Sequence, residues 1–270
     1  MYTFRISQLF QNLATLFFIT LFFPLVGHAQ TEQDNSEIAV YTGPINQEKV
    51  DAFLKNQANK HVVGLRINSN GGLVLPAIQL GRWVRTNNIT VSVHNICMSS
   101  CANYVFSAGS KKIIEQGAIV VWHGSTEQKD IREGQKQFEM LDKNLSSIPA
   151  DNEERSKLEA KRLRYLLIEK QRQAQSDWFH ELGLDEYFFR IGQEPVPLAD
   201  AWATTVAVMN KYGIQHVSAP TNYGTPEYLH TNPIVLIAFK NKLGSFDLDS
   251  EGNVVPLKQA SEQEKRTSGQ

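Results

Sequence analysis

Two adjacent serines, Ser99 and Ser100, stand between Cys97 and Cys101, and His123 closes the next apolar run but one. A serine at the start of a helix sits among N–H groups that have no partner and beside the positive end of the helix dipole. That setting suits the nucleophile of an acyl transfer if an imidazole can take its proton. Earlier in the chain, Ile67-Asn68-Ser69-Asn70 runs into Gly71-Gly72. Adjacent glycines accept positive φ and can turn successive N–H groups toward one point, where an oxyanion can be held. Taken singly, each feature has a plainer reading, the serine as a helix cap, the glycine pair as a turn and the histidine as a structural residue. The combination is what carries chemical content.

These residues need a frame, and the hydropathy pattern outlines one. Residues 38–41 read as a first strand, 47–56 as a short helix, and 61–67 as a buried strand that ends at the glycines. Residues 75–85 have helical spacing, 89–93 a strand, 102–108 the start of a buried helix, and 111–114 and 118–122 two more strands. Such alternation predicts an α/β domain with a mainly parallel sheet covered on both faces. Residues 129–182 are dense in Glu, Lys, Arg and Gln with leucines at near-helical intervals, a charged helical arm broken near 146–149. A compact helical pattern is expected over 195–212, a short last strand over 213–217, and a polar, disordered tail from about 250.

Arg5, the apolar run 13–26 and Gly27-His28-Ala29 have the make-up of a secretory signal ending at residue 29. Residues 30–37 then read as a linker, and 38–249 as one domain. The formal charge of the chain is −1, and −2 without Arg5, which gives no reason to expect nucleic acid. No later segment is long and apolar enough to span a bilayer, so the expectation is a periplasmic or secreted bacterial protein with no stable membrane span after cleavage. In an oxidising compartment Cys97 and Cys101 can form a disulfide, two buried thiols being the alternative. His94, His180 and His216 show no metal-ligand spacing, and no cofactor is expected.

The glycine-ended strand, a serine nine residues before Gly109, and a later strand ending in histidine together resemble the proteolytic subunit of the Clp protease. That protein belongs to the crotonase superfamily, and the resemblance is nearer to periplasmic ClpP-like proteins with a C-x-S-x-C element. It implies a crotonase-like, ClpP-type stack of ββα units acting as a serine peptidase or related hydrolase on a peptide or protein, in a homo-oligomer. Position by position it makes Ser100 the nucleophile, with Ser99 as the alternative because the C-x-S-x-C serine falls there, and His123 the base. The oxyanion donors become the N–H groups of Gly72 or Gly71 and of Cys101. The chain departs from the pattern at the third catalytic member: residues 189–195 offer no aspartate, which leaves Glu194 and Asp200 as candidates. A catalytically inactive assembly or binding module that grips a partner through the arm is the competing expectation.

Overall fold

The computed structural model describes residues 36–145, 147–149, 153–195, 197–240 and 242–257; the expected signal and most of the expected linker lie outside them. Glu37, assigned to that linker, already belongs to the first strand, β1 (Glu37–Thr42).

The fold is mixed α/β around a six-stranded, wholly parallel sheet. Its order is β1, β2 (Val62–Ser69), β3 (Thr90–Met98), β4 (Lys112–Ile114), β7 (Val217–Ser218), with β5 (Ile119–Val121) pairing beyond β4 on the far end of β3. The helices α1 (Gln47–Gln57) and α2 (Val74–Thr86) return the chain between parallel strands. Asn46 starts α1 by accepting the Lys49 N–H at 2.9 Å. The Tyr41, Phe53 and Trp83 rings then meet edge to face, at 5.3 Å for each pair, and seat both helices on the inner side of the sheet.

Only that side is closed. Along β1 the outward residues Ile38 and Val40 are 68% and 64% exposed, and the same face carries Arg66, His94 and Glu115. The expectation of a sheet covered on both faces is therefore corrected. Strict alternation in β1, with Ala39 and Tyr41 buried and their neighbours exposed, marks a strand with one wet face. Arg66 donates to Glu115 at 2.7 and 2.8 Å, and His94 Nδ1 lies 2.8 Å from the same carboxylate, tying β2 and β3 to the end of β4. That pairing holds the Glu115 carboxyl down at about 2. His94 and Asn95 break the apolar run, yet β3 continues past them to Met98.

The arm consists of α3 (Lys129–Leu145) and α4 (Glu153–Leu182), the second about 45 Å long at 1.5 Å per residue. Phe138 stacks at a tilt on Tyr165 at 5.0 Å and Arg162 bonds Asp142 at 2.6 Å, so the outer half of α4 leans on α3. The last turns of α4 enter the core through Gln175, Trp178 and Phe179.

Two further expectations are corrected. Residues 195–212 are not one helix: Trp202–Thr204 is strand β6 and only Val206–Lys211 winds as α5. Trp202 exchanges both backbone hydrogen bonds with Trp122, at 2.9 and 2.8 Å, and β6 also pairs with β8 (Gly244–Leu248). The tail does not begin at 250 either, because β8 turns into β9 (Val254–Pro256). Asp249 Oδ1 accepts the Glu251 and Asn253 N–H groups at 3.0 and 2.7 Å, a turn whose polar residues mask a hairpin in the sequence. The expected last strand shrinks to the two residues of β7, and α6 (Pro226–Thr231) and α7 (Pro233–Ala238) follow it.

Candidate active site

The end of β3 carries the serines. Cys97 pairs with Ser69 and Val120, Met98 with Val121, and the Ser99 N–H donates to the Val121 carbonyl at 3.0 Å. Ser99 then takes the left-handed conformation, φ 59°, which a residue with a side chain rarely adopts and which costs on the order of 1 kcal/mol. This bend lets β3 pass directly into a π-helix, Cys101–Phe106, and throws the Ser99 side chain out of the strand plane. The disulfide Cys97–Cys101, with 5.3 Å between Cα atoms, brackets the bend.

Ser99 Oγ lies 2.7 Å from His123 Nε2. Ser100 points elsewhere: it is buried, and its Oγ accepts the Gly72 N–H at 2.7 Å. The pair expected from the sequence, Ser100 with His123, is therefore replaced by its alternative, Ser99 with His123. The count of nine residues back from Gly109 rested on the resemblance alone. The left-handed bend at Ser99 turns that side chain to the histidine, whereas Ser100, at the start of the π-helix, is buried. The shift also moves the N–H that follows the hydroxyl from Cys101 to Ser100.

His123 follows β5 and Trp122. Its carbonyl accepts Gln193 Nε2 at 2.9 Å, and the next carbonyl, of Gly124, accepts Asn103 Nδ2 at 3.0 Å. Asn103 in turn donates its N–H to the Ser99 carbonyl at 2.9 Å. A closed circuit of side chain and backbone thus runs from Ser99 through Asn103 to the residue beside His123. Behind it, rings step from the π-helix to the histidine: Tyr104 on Phe179 at 5.7 Å, Phe179 on Phe189 at 4.2 Å, Phe189 against Phe188 at 5.1 Å, and Phe188 against Trp122 at 4.9 Å. The sequence lists Asn103 as one polar residue within the buried run 101–106, and that misplaced polarity is the signal by which it could have been found. Gln193 left no such signal.

Partial desolvation pushes the His123 imidazole below its ordinary pKa, although the side chain keeps access to solvent, and a contact with its own main chain acts in the opposite direction. The neutral ring is thereby favoured at neutral pH, and with the proton on Nδ1 its Nε2 can accept from Ser99.

The glycine bend stands opposite. Gly71 has φ 86°, and a Cβ there would collide with the Met98 carbonyl and the serine loop. Gly72 would collide with the Ile45 carbonyl. Gly71 lets the chain leaving β2 pass within contact of the residues that flank Ser99, and Gly72 lets it pass close to Ile45. The Gly71 N–H is taken by Ser69 Oγ at 3.0 Å and the Gly72 N–H by Ser100, so Gly72 is the donor of the pair that faces the serine loop.

The two carboxylate candidates separate clearly. Glu194 is held by Arg190 at 2.6 Å and Arg132 at 3.1 Å; burial would raise its pKa, but the two guanidinium groups outweigh it and hold it below the usual range. Asp200 is exposed and lies two residues before Trp202, whose antiparallel bridge to Trp122 brings this segment alongside His123. Neither carboxylate is hydrogen-bonded to the ring. His94, discounted as a metal ligand, is occupied by Glu115 and Arg66 on the outer sheet face.

In comparisons with known proteins, the chain matches no family model and no curated protein.

Proposed function

We propose that this chain is an exported serine hydrolase of the ClpP-like, crotonase-fold type, acting on peptide or protein substrates through Ser99 and His123. The observation that carries this reading is the 2.7 Å contact between Ser99 Oγ and His123 Nε2, formed by a serine in a left-handed bend at a helix start. As Ser99 Oγ bonds to the substrate acyl carbon, its proton passes to His123 Nε2 and the carbonyl electron pair moves onto oxygen. The N–H groups of Ser100 and Gly72 receive that oxyanion. Its collapse expels the leaving group, which takes the proton from His123, and water repeats the sequence to release the acyl group. Asp200, two residues before the bridge of Trp202 to Trp122, is the carboxylate we propose as the orienter of His123; without such an orienter the rate falls about 10⁴-fold in related triads. Export accords with the disulfide, a bond of oxidising compartments. Among the described residues no helix is long and apolar enough to cross a membrane.

A fluorophosphonate probe tests the assignment. Wild type is expected to be labelled and Ser99→Ala not. Labelling of Ser99→Ala at the wild-type rate would overturn it, and loss of labelling in Ser100→Ala alone would move the nucleophile by one residue.

The non-catalytic module is disfavoured as the sole role by the serine–histidine contact, but its premise, assembly through the arm, stands beside the hydrolase reading. Met140, Leu163, Leu166 and Leu167 are exposed on α3 and α4, and they make the arm the surface we propose for self-association.

A further inference from the structure

Tandem serines would be redundant if both served as nucleophile, yet their hydroxyls have separate partners. Ser100 occupies the N-cap of the π-helix, where a serine ordinarily turns its oxygen onto an N–H of the first turn. It makes no such cap. Its Oγ instead reaches across to β2 and accepts the Gly72 N–H at 2.7 Å, although the serine itself is 3% exposed.

The direction of that N–H is fixed. Ile45 donates to the Gly71 carbonyl at 2.9 Å, Leu73 donates to the Ile45 carbonyl at 2.8 Å, and a Cβ on Gly72 has no room beside Ile45. The donor therefore cannot swing away to find another acceptor. Gly72 itself is exposed, so in the absence of the Ser100 hydroxyl water can satisfy its N–H.

We infer that Ser100 is a resting plug of the oxyanion hole: its hydroxyl fills the Gly72 N–H in the free protein, and a substrate carbonyl oxygen must displace it before the hole can work. This rests on the hydrolase reading and adds to it a restraint on basal activity. The hydroxyl is tethered to the buried backbone at the start of the π-helix, opposite the donor, so it competes with substrate more effectively than a free water does. Displacement requires the Ser100 Oγ to give up the Gly72 N–H as the substrate oxygen arrives. The developing oxyanion is the stronger acceptor, which makes the exchange favourable late in the reaction and costly at its start. Ser100 is thus neither a second nucleophile nor a cap.

The second-order rate of fluorophosphonate labelling is to be compared among wild type, Ser99→Ala, Ser100→Ala and Ser100→Thr, with circular dichroism and thermal melting as the check on folding. In this labelling the P–F bond breaks as the Ser99 Oγ–P bond forms, and fluoride leaves with the proton taken by His123. Removal of the plug is expected to raise the rate about 2- to 10-fold in Ser100→Ala, the factor that follows from the net worth of one hydrogen bond. Ser100→Thr, which keeps a hydroxyl, is expected to be labelled more slowly than Ser100→Ala. Amide hydrogen exchange at Gly72 is expected to speed up in Ser100→Ala alone, a readout that does not depend on catalysis. A folded Ser100→Ala protein labelled no faster than wild type, while Ser99→Ala is silent, would overturn the plug and leave the hydrolase standing. Equal labelling of Ser99→Ala and wild type, or no labelling of any variant, would remove both.

Discussion

Ser99 and His123 belong to segments whose residues are 24 positions apart, and each is fixed by its own backbone rather than by the other's side chain. Ser99 is held by its bend and by the Asn103 N–H on its carbonyl; His123 is held by Gln193 on its carbonyl and by Asn103 on the next. Such double anchorage keeps two side chains within the few tenths of an ångström that proton transfer requires. The depressed pKa of His123 sets the pH response of the pair. A base whose pKa is pushed below its ordinary value loses its proton earlier on the way up from acid, so labelling of Ser99 is expected to rise from acid with a midpoint below that of a free imidazole. A midpoint at 7 or above in a pH–rate profile would show that burial does not govern the ring.

At the scale of elements, the passage from β3 into the π-helix is the decisive piece, and the disulfide closes it. A bridge over five residues, 97 to 101, removes unfolded-state freedom worth about 2 kcal/mol by the chain-entropy account. The Cys97→Ser, Cys101→Ser double variant is expected to lose stability of that order in urea titration and to label several-fold more slowly than wild type, since the bend at Ser99 is then free to relax. Unchanged labelling with the stability loss intact would limit the bridge to folding. The same passage shows what the sequence could and could not reveal. The parallel strands around residues 62–69 and 90–98, the glycine bend, the arm and the cysteine pair were legible, because hydrophobic period and glycine placement are local signals. The choice between Ser99 and Ser100 was not, since it turns on the left-handed bend at Ser99, a conformation that the residue type does not signal. β6 was hidden for a different reason: Trp202 owes its strand conformation to Trp122, a partner that no local pattern announces. The hairpin at 244–256 was masked by the polar turn at Asp249.

At the scale of the molecule, apolar surface is distributed unevenly. The inner sheet face and the inner end of α4 are sealed by aromatic rings, whereas the outer reach of the arm presents Leu163, Leu166 and Leu167 to solvent on successive turns. Soluble monomers seldom leave such residues clustered. Light scattering of the mature chain is expected to give more than one subunit, and replacing the three leucines with glutamine is expected to reduce the mass to that of a single chain while circular dichroism stays unchanged. An unaltered mass would exclude the arm as the joint between subunits.

The bridge between Trp122 and Trp202 bears on how the protein is made. A ribosome delivers the glycine bend, both serines and the histidine within the first half of the chain, but Trp202 comes some eighty residues after His123, and the strand behind it later still. Until the segment ending near residue 256 has emerged and paired, Trp122, the residue before the histidine, lacks its backbone partner and that partner lacks its own sheet. A polypeptide that stops before residue 202 therefore carries Ser99 and His123 without the strand that pairs beside them, and on the proposed reading the two are aligned only once that strand is in place.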